Sequence, residues 1–357
     1  MSLERFGWDE RLERSFDGFR SRGLEPARVS REDRDRYQVL CAEGEAATVV
    51  SGRLRQAATV RTELPAVGDW VALRPSQGEG PRVIDAVLPR ASAFIRKSAG
   101  APTEAQAVAA NVDTVFVVAG LDDEYNLRRI ERYLAAAWES GARPVVVLNK
   151  ADLADDPDAV LAEAQSALPG TEVVALSARD GAGLDRLEPW LAPGRTVALL
   201  GSSGVGKSTL VNALLGEERQ QTLEVRASDS RGRHATTRRQ LFVLPGGALL
   251  IDTPGMRELQ LWSDESALAG AFPDIEELAA GCRFRDCRHD TEPDCAVRAA
   301  AERGELDPAR LESWHKLQRE LRWLAGKQDV RIRLEEQARW RTIQKSLSLH
   351  PKYRRRD

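Results

Sequence analysis

The feature that most constrains the fold is a glycine-rich segment at residues 201–209, which reads GSSGVGKST. It follows an apolar strand pattern at 196–200 and opens a helical pattern at 209–215. Strand, glycine-rich turn and helix in this order are typical of a P-loop, in which backbone N–H groups and the helix N-terminus surround phosphates. Lys207 is expected to reach the β- and γ-phosphates, and the Ser208 hydroxyl to bind Mg²⁺. The predicted phosphate-binding residues are Gly201, Ser202, Ser203, Gly204, Val205, Gly206, Lys207, Ser208 and Thr209.

A second apolar strand pattern, at residues 248–251, ends in Asp252-Thr253-Pro254-Gly255. An aspartate at the tip of such a strand can hold the water shell of Mg²⁺, and the Gly255 N–H could contact the γ-phosphate. Taken alone, this tetrapeptide is a common turn. Beside a P-loop, it predicts that Asp252 and Ser208 share a magnesium site.

A third strand pattern is followed directly by Asn149, Lys150, Ala151 and Asp152. A carboxylate at Asp152 can accept hydrogen bonds from both N1–H and the N2 amino group of guanine, a pair of donors that adenine lacks. Asn149 is expected to tie neighbouring loops together, and the Lys150 stem to stack on the base.

Ser177 and Ala178 follow the strand pattern at 172–176 and would offer a backbone N–H to the guanine oxygen. A Ser-Ala pair carries no signal by itself. Together with the Asp152 segment it predicts a guanine nucleotide site, and an ATP site is the weaker alternative.

The order of these motifs is unusual, because the base-recognition segments precede the phosphate loop in the chain. In Ras-like GTPases the phosphate loop comes first, so this sequence indicates a circularly permuted GTPase. The permutation leads the segment after Asp252 straight into the C-terminal part of the chain.

The residue after Gly255 is Met256, at the position where Ras-like enzymes place a glutamine that orients water. Methionine cannot orient water, so hydrolysis by the chain alone should be slow. His234 is the candidate for the missing group, against the alternative of a solvated loop histidine. Thr236 or Thr237 could close on Mg²⁺.

Four metal-ligand side chains lie close together in the sequence: Cys282, Cys287, His289 and Cys295. Three thiolates and one imidazole complete a closed tetrahedral zinc site, which predicts a structural rather than a catalytic metal. Reduced cysteines packed in a small core are the alternative. Cys41 lies in an apolar strand pattern and is predicted to be a core residue.

Short alternating apolar runs separated by glycine and proline fill the region from about residue 37 to residue 97. They predict a small antiparallel barrel or sandwich, of which an oligonucleotide-binding barrel is one form. The predicted strands span 37–41, 47–50, 57–60, 70–73 and 83–88.

Strands and helices alternate from residue 114 to residue 251, which predicts a mostly parallel sheet covered on both faces. One predicted helix spans 184–191. Beyond residue 270 only helical periodicity remains. The predicted division is an N-terminal arm at 1–33, a β-barrel at 34–100, a GTPase domain at 101–270 and a zinc-binding domain with a basic helical tail at 271–357.

Charge is distributed unevenly along the chain. The formal total is −3, but the last 42 residues hold 13 Lys/Arg and 5 Asp/Glu, so they carry +8 and the remainder carries −11. Trp323, Trp340 and Tyr353 are interleaved with these basic residues, a pattern that favours contact with nucleic acid phosphates and bases. An amphipathic helix packing on its own body is the alternative.

We expect a cytoplasmic protein. The charged start MSLER leads into no apolar signal segment, and no run approaches the roughly 20 apolar residues that a membrane span needs.

The combined motifs resemble the ribosome small subunit-dependent GTPase A family (YjeQ/RsgA). The resemblance is carried by the permuted order, the loop GRHATT at 232–237, DTPGM at 252–256 and the Cys/His spacing. Ala235 departs from the threonine usual there. Further matching segments are Val67-Gly68-Asp69, Leu88-Pro89-Arg90, Asn111-Val112-Asp113, and Asn126 with Arg132-Tyr133-Leu134.

This resemblance implies a multidomain α/β protein with an oligonucleotide-binding barrel (OB-fold), a circularly permuted P-loop GTPase and a C-terminal zinc-binding helical domain. It implies a late assembly factor that binds the small ribosomal subunit and its rRNA. It also implies that the subunit stimulates hydrolysis of GTP to GDP, and His234 matches the loop histidine implicated in hydrolysis in this family. The predicted catalytic residues are His234, Lys207 and Thr237. We expect magnesium with GTP, one structural zinc, no membrane partner and a monomer. A nucleotide-gated RNA-binding scaffold is the rival hypothesis.

Overall fold

The computed structural model describes residues 2–33, 36–75, 78, 80–97, 105–123, 125–216, 239–252 and 266–328. The chain divides into two compact units, Met1–Gln260 and Leu261–Asp357. The four predicted domains remain predictions, since this division separates only two units.

The first part of the first unit is a five-stranded barrel. Its elements are α1 (Glu10–Arg20), β1 (Glu25–Asp33), β2 (Arg36–Cys41), β3 (Gly44–Val50), α2 (Gly52–Ala57), β4 (Trp70–Leu73) and β5 (Arg82–Val87). The strands pair in the order β1-β2-β3-β5-β4, and a further β1–β4 pairing closes the ring. The barrel is therefore confirmed, although β3 and β5 pair parallel rather than antiparallel.

Alternate residues of these strands fill the barrel interior with apolar side chains. Val29, Val39, Val71 and Ile84 are fully buried there. Cys41 is buried in the same cluster, which confirms its prediction as a core cysteine. This alternation is the period-two pattern of a strand with one face in the core.

One predicted barrel strand is wrong. Residues 57–60 form no strand, because the Ser51 side chain accepts a hydrogen bond from the Leu54 N–H and starts α2 just before them. The fifth strand is instead β1, which lies within the segment predicted as an N-terminal arm.

The second part of the first unit is an α/β sheet. A hairpin of β6 (Ala93–Lys97) and β7 (Ala105–Ala110) precedes it. The remaining elements are β8 (Thr114–Gly120), α3 (Leu127–Glu139), β9 (Arg143–Asn149), α4 (Pro157–Ala167), β10 (Glu172–Ala175), β11 (Thr196–Leu200), α5 (Lys207–Leu215), β12 (Arg239–Val243) and β13 (Leu249–Asp252).

These strands lie in the order β10-β9-β8-β11-β13-β12. All neighbours are parallel except β12, which runs antiparallel to β13, so the mostly parallel sheet is confirmed. The helix predicted at 184–191 is a 3₁₀ segment, Leu184–Trp190, with Pro189 inside it. A proline ring prevents continuation of the regular helical hydrogen bonds there.

The parallel strands are mostly buried: β8 and β11 are buried at every residue, and β9 at every residue but its first. Because these strands run parallel, their carboxyl ends lie on one side of the sheet, where Asn149 ends β9, Gly201 follows β11 and Asp252 ends β13. Ligands of open α/β sheets bind at this side.

The barrel and the α/β sheet form one continuous sheet of eleven strands, because β1 pairs with β12. The pairing joins Arg31 to Gln240 and Glu32 to Arg239. The Arg239 side chain also donates to Glu32 at 2.9 Å, and both side chains are largely buried.

The second unit is helical, as predicted. It contains α6 (Ser266–Ala271), α7 (Pro273–Ala279), α8 (Ala296–Glu302) and α9 (Pro308–Gln328). Phe272, Ile275, Val297 and Leu321 are fully buried in it. Within the described ranges, no helix combines the length and the apolar character that a membrane crossing requires.

Candidate functional site

The phosphate loop has the backbone that its glycines allow. Gly201 has φ +150°, and a Cβ there would lie 2.2 Å from the Val118 carbonyl oxygen. Gly206 has φ +90° and starts α5, and a Cβ there would lie 2.3 Å from Nδ2 of Asn149. Any side chain at either position would push the loop away from the end of the sheet.

Lys207 lies across this loop. Its Nζ donates to the Gly201 carbonyl oxygen at 2.6 Å and also to the Ser202 carbonyl oxygen. The ammonium group is thereby held over the turn, half-buried, at the N-terminus of α5. Ser208 and Thr209 follow in the first turn of that helix, where N–H groups and the helix dipole favour an anion.

Asn149 joins three segments of the site. Its side chain is buried, its Nδ2 donates to the Val205 carbonyl oxygen at 2.9 Å, and its Oδ1 accepts from the Ala178 N–H at 2.9 Å. The end of β9, the phosphate loop and the loop after β10 are therefore fixed relative to one another.

Asp152 and Ser177 are in direct contact. The Ser177 hydroxyl donates to Oδ1 of Asp152 at 2.7 Å, which orients the carboxylate predicted to read guanine. The Ser177 N–H donates to the Ala182 carbonyl oxygen at 2.9 Å. Of the two predicted backbone donors, Ser177 is thus engaged within its own loop. Ala178 would reach a guanine oxygen only by sharing its N–H with Asn149.

Lys150 adopts a left-handed backbone conformation with φ +65° and forms an ion pair with Asp122 at 2.5 Å. Ala151 follows it, and the Ala151 N–H donates to the Leu176 carbonyl oxygen at 3.1 Å. The ion pair fixes the head of the Lys150 side chain against Asp122, and stacking of its stem on the base stays a prediction.

Sequence reasoning missed three side chains of this site. Asp122 lies two residues after the end of β8, and an acidic residue close after a buried strand is the signal that could have found it. Arg129 and Tyr133, one turn apart on α3, each lie 3.3 Å from the Ser202 hydroxyl. Their spacing of four residues places them on one helix face, but only the fold brings that face to the phosphate loop.

Asp252 is half-buried at the end of β13, on the same side of the sheet as the phosphate loop. The other predicted residues around the γ-phosphate lie outside the described residues. These are His234, Thr236, Thr237, Gly255 and Met256.

The four predicted metal ligands converge in the second unit. One donor atom from each of Cys282, Cys287, His289 and Cys295 lies within 4.8 Å of the other three. Nδ1 of His289 is 3.6 Å from the Cys282 sulfur and 3.4 Å from the Cys295 sulfur. A cation at the centre of these donors would have the Cys₃His ligand set of structural zinc sites.

The pKa values of Cys287 and His289 are shifted by burial and by the neighbouring groups of the cluster. Burial and the neighbouring thiols raise the pKa of Cys287 to about 12. Burial lowers the pKa of His289, so its imidazole is held neutral. A neutral imidazole is a metal ligand as it stands, and a divalent cation at the centre would favour the thiolates.

The surrounding loop holds His289 in place. His289 has φ +59°, and its ring lies 5.1 Å from the Trp314 ring of α9. Burial disfavours ionisation of Glu292, but hydrogen bonds from backbone N–H groups outweigh it and lower the pKa of this carboxyl. Those donors belong to Arg288, Asp290 and Thr291.

Comparison with known proteins gives a consistent result. A family model described as RsgA GTPase matches residues 87–262. The small ribosomal subunit biogenesis GTPase RsgA of Opitutus terrae is 51% identical over 352 residues, covering 96% of each chain. The protein of the same name from Syntrophotalea carbinolica is 45% identical and also covers 96% of each chain.

Two solved structures share the architecture. YjeQ from Thermotoga maritima has 29% identity and a TM-score of 0.64, covering 84% of this chain and 98% of that chain. YloQ, described as a circularly permuted GTPase, has 23% identity and a TM-score of 0.62, covering 84% of this chain and 95% of that chain. The second likeness bears on the fold alone.

Proposed function

This chain belongs to the RsgA GTPase family, whose members are circularly permuted GTP hydrolases, and we propose that it acts in late maturation of the small ribosomal subunit. In this proposal the subunit stimulates hydrolysis of GTP to GDP and phosphate, and hydrolysis releases the protein. The relatives' names refer to biogenesis of that subunit. We extend this role to the present chain as a cytoplasmic monomer.

The guanine base is read by Asp152. The observation that carries this assignment is the set of hydrogen bonds through Asn149 and Ser177, which joins the Asp152 segment to the phosphate loop. A carboxylate so oriented matches the N1–H and N2 donors of guanine, whereas adenine would leave it unpaired at a cost in binding.

The phosphates bind over residues 201–209. Lys207 exchanges its bonds to the two loop carbonyl oxygens for the β- and γ-phosphates, and the Ser208 hydroxyl and Asp252 serve Mg²⁺. Magnesium, when bound, neutralises charge on the phosphate oxygens. The chain's own part is to position the nucleotide and to stabilise the charge that develops as water attacks the γ-phosphate.

Completion of the catalytic site is proposed from the resemblance to the family. His234 orients or activates water, Thr236 or Thr237 closes on Mg²⁺, and the Gly255 N–H contacts the γ-phosphate. Met256 has no group that can orient water, so turnover is slow until the subunit places the loop that carries His234.

Zinc is the proposed occupant of the Cys₃His cluster. The residues fit this metal because three sulfur donors and a neutral imidazole already converge within one coordination sphere. Bound zinc would cross-link the loop between α7 and α8.

Basic residues of the tail, with Trp323 exposed on α9, are proposed to contact rRNA. Trp340 and Tyr353 lie outside the described residues.

The test is GTP turnover measured with and without purified small subunits. We expect a large stimulation in the wild type, and its loss in His234→Ala with binding to the subunit preserved. Release of labelled protein from the subunit after GTP addition is measured in parallel. Equal turnover with and without subunits would refute stimulation. Normal release of His234→Ala would favour the RNA-binding scaffold.

A further inference from the structure

The barrel carries one carboxylate that is surrounded by three arginines. Asp85 in β5 is almost completely buried, with a side chain 4% exposed. It accepts from Arg22 at 2.8 Å, from Arg53 at 2.7 Å and from Arg74 at 2.8 Å. The arginine side chains are about half exposed. We call this set the Asp85 cluster.

Three different elements bring these arginines together. Arg22 lies in the turn after α1, and Arg53 lies in the first turn of α2. Arg74 follows β4, where an irregularity between Ala72 and Leu73 shifts the register against β5. The convergence therefore depends on the closed barrel rather than on a run of basic residues in the sequence.

Charge in this cluster is not balanced. A single carboxylate cannot accept from all the N–H groups of three guanidinium groups, so most of those donors are not bonded to Asp85, and the three side chains are about half exposed. The adjacent Arg82 is paired with Glu25 and Glu43, and counting these three residues as well still leaves an excess of positive charge. This excess stands out on a chain whose first 315 residues carry −11.

A second buried aspartate in the same barrel shows the contrast. Asp69 is fully buried, forms an ion pair with Arg90 at 2.7 Å and also accepts from the Ala66 N–H. Arg90 directs its other donors to the carbonyl oxygens of Thr62 and Leu64. The Asp69–Arg90 pair is largely buried, whereas the arginines of the Asp85 cluster are about half exposed to solvent.

The carboxylate keeps its arginines in place over the ordinary pH range. Burial acts to raise the pKa of Asp85, but Arg74, Arg53 and Arg22 outweigh it and lower that pKa. Arg22 also lies over the Phe19 ring, 5.6 Å from its centre, and Phe19 is half-buried. The three guanidinium groups therefore form an ordered cationic surface with an aromatic ring beside it.

We propose that the Asp85 cluster is an RNA-binding surface in which Arg22, Arg53 and Arg74 contact backbone phosphates and Asp85 positions them. The proposal rests on the proposed function, which supplies RNA as the partner. Guanidinium groups bind phosphate through paired N–H donors, and an ordered set loses less entropy on binding than free side chains do. An acidic protein surface is the other occupant that the test distinguishes.

The test compares two full-length variants that change charge in opposite directions. The first is Arg22→Gln/Arg53→Gln/Arg74→Gln, and the second is Asp85→Asn. The matched control is Arg143→Gln/Arg195→Gln/Arg303→Gln, which removes the same charge from three exposed ion pairs elsewhere. The probe is a fluorescein-labelled RNA hairpin of about 20 nucleotides, titrated at several salt concentrations, together with purified small subunits.

We expect the arginine variant to bind the hairpin at least roughly tenfold more weakly than the control does. The slope of log affinity against log salt should fall by about 2, since each phosphate contact contributes roughly 0.7 to 0.9. Asp85→Asn keeps all three cationic side chains but loses their positioning, so it should leave the salt slope nearly unchanged and bind the hairpin less tightly than the wild type. Basal GTP turnover and melting temperature are measured for every variant, to show that each is folded.

Two results would overturn the proposal. One is equal hairpin binding by the arginine variant and the control, with an unchanged salt slope. The other is weaker binding to small subunits with unchanged hairpin binding, which would assign the surface to a protein partner. Failure of the proposed function appears separately, as wild-type turnover that small subunits do not stimulate.

Discussion

The proposed base end of the nucleotide site and the Cys₃His cluster are organised in different ways. At the base end, Asn149 and Ser177 satisfy donors and acceptors on three loops, so protein groups hold the geometry. In the cluster, four donor atoms converge, while burial and neighbouring thiols disfavour the thiolate form of Cys287. The first site is pre-organised for its ligand. The second brings four metal-ligand atoms together at one point, where the proposed cation would favour their thiolate forms.

The largest effect should follow from removing the proposed zinc. Cys287→Ser, or chelation of the wild type, should abolish the cooperative melting of the second unit, because a structural zinc contributes roughly 10–16 kcal/mol of binding free energy to small zinc-dependent folds. Circular dichroism melting and metal analysis by mass spectrometry measure the two effects.

The control for this change is Cys41→Ser, at a buried cysteine whose sulfur donates to the Gly44 carbonyl oxygen. It should keep full metal content, and GDP affinity should be unchanged in both variants. Less than about one equivalent of zinc in the purified wild-type protein would contradict the proposed zinc site.

An intermediate effect should follow from Asp152→Asn. GTP affinity should fall on the order of a hundredfold, because the amide cannot accept from both guanine donors. XTP affinity should rise, since the N–H₂ group of the substituted amide can donate to the C2 oxygen of xanthine. Isothermal titration with GTP, XTP and ATP measures this exchange, and unchanged GTP binding would refute guanine recognition at this carboxylate.

A smaller effect should follow from Gly206→Ala. The new Cβ would meet Nδ2 of Asn149, and the left-handed backbone would be strained as well. Gly216→Ala is the control, because Gly216 also has a positive φ but no atom of the described residues lies within 4 Å of its Cβ position. Fluorescent GDP titration should show roughly tenfold weaker binding for Gly206→Ala alone, which corresponds to about 1.4 kcal/mol. Equal losses of GDP affinity in the two variants would show that backbone strain, and not the contact with Asn149, accounts for the effect.

The parts of the site that sequence predicted are those whose chemistry dictates residue types at fixed spacing. The phosphate loop needs glycine at Gly201 and Gly206, and the metal cluster needs soft donors in one short segment. Asp122, Arg129 and Tyr133 could not be placed in the same way. Their role depends on which strand and helix lie beside the phosphate loop.

The same reasoning explains the errors in the barrel. β1 reads EPARVSRED, and its charged residues conceal the alternation of Ala27 and Val29 into the core. The alternating run at 57–60 matches a strand pattern, but the Ser51 cap commits the preceding residues to a helix. The local hydrophobic pattern does not show which segment pairs with another strand in the folded barrel.

The pairing of β1 with β12 has a consequence for solubility. β12 is the last strand of the α/β sheet, and an unpaired final strand is a template for association with other chains. The barrel covers that strand through β1 and seals the pairing with Glu32 and Arg239. The barrel therefore also prevents β12 from pairing with other chains. A fragment that begins after the barrel would expose the edge of β12 and be prone to aggregate.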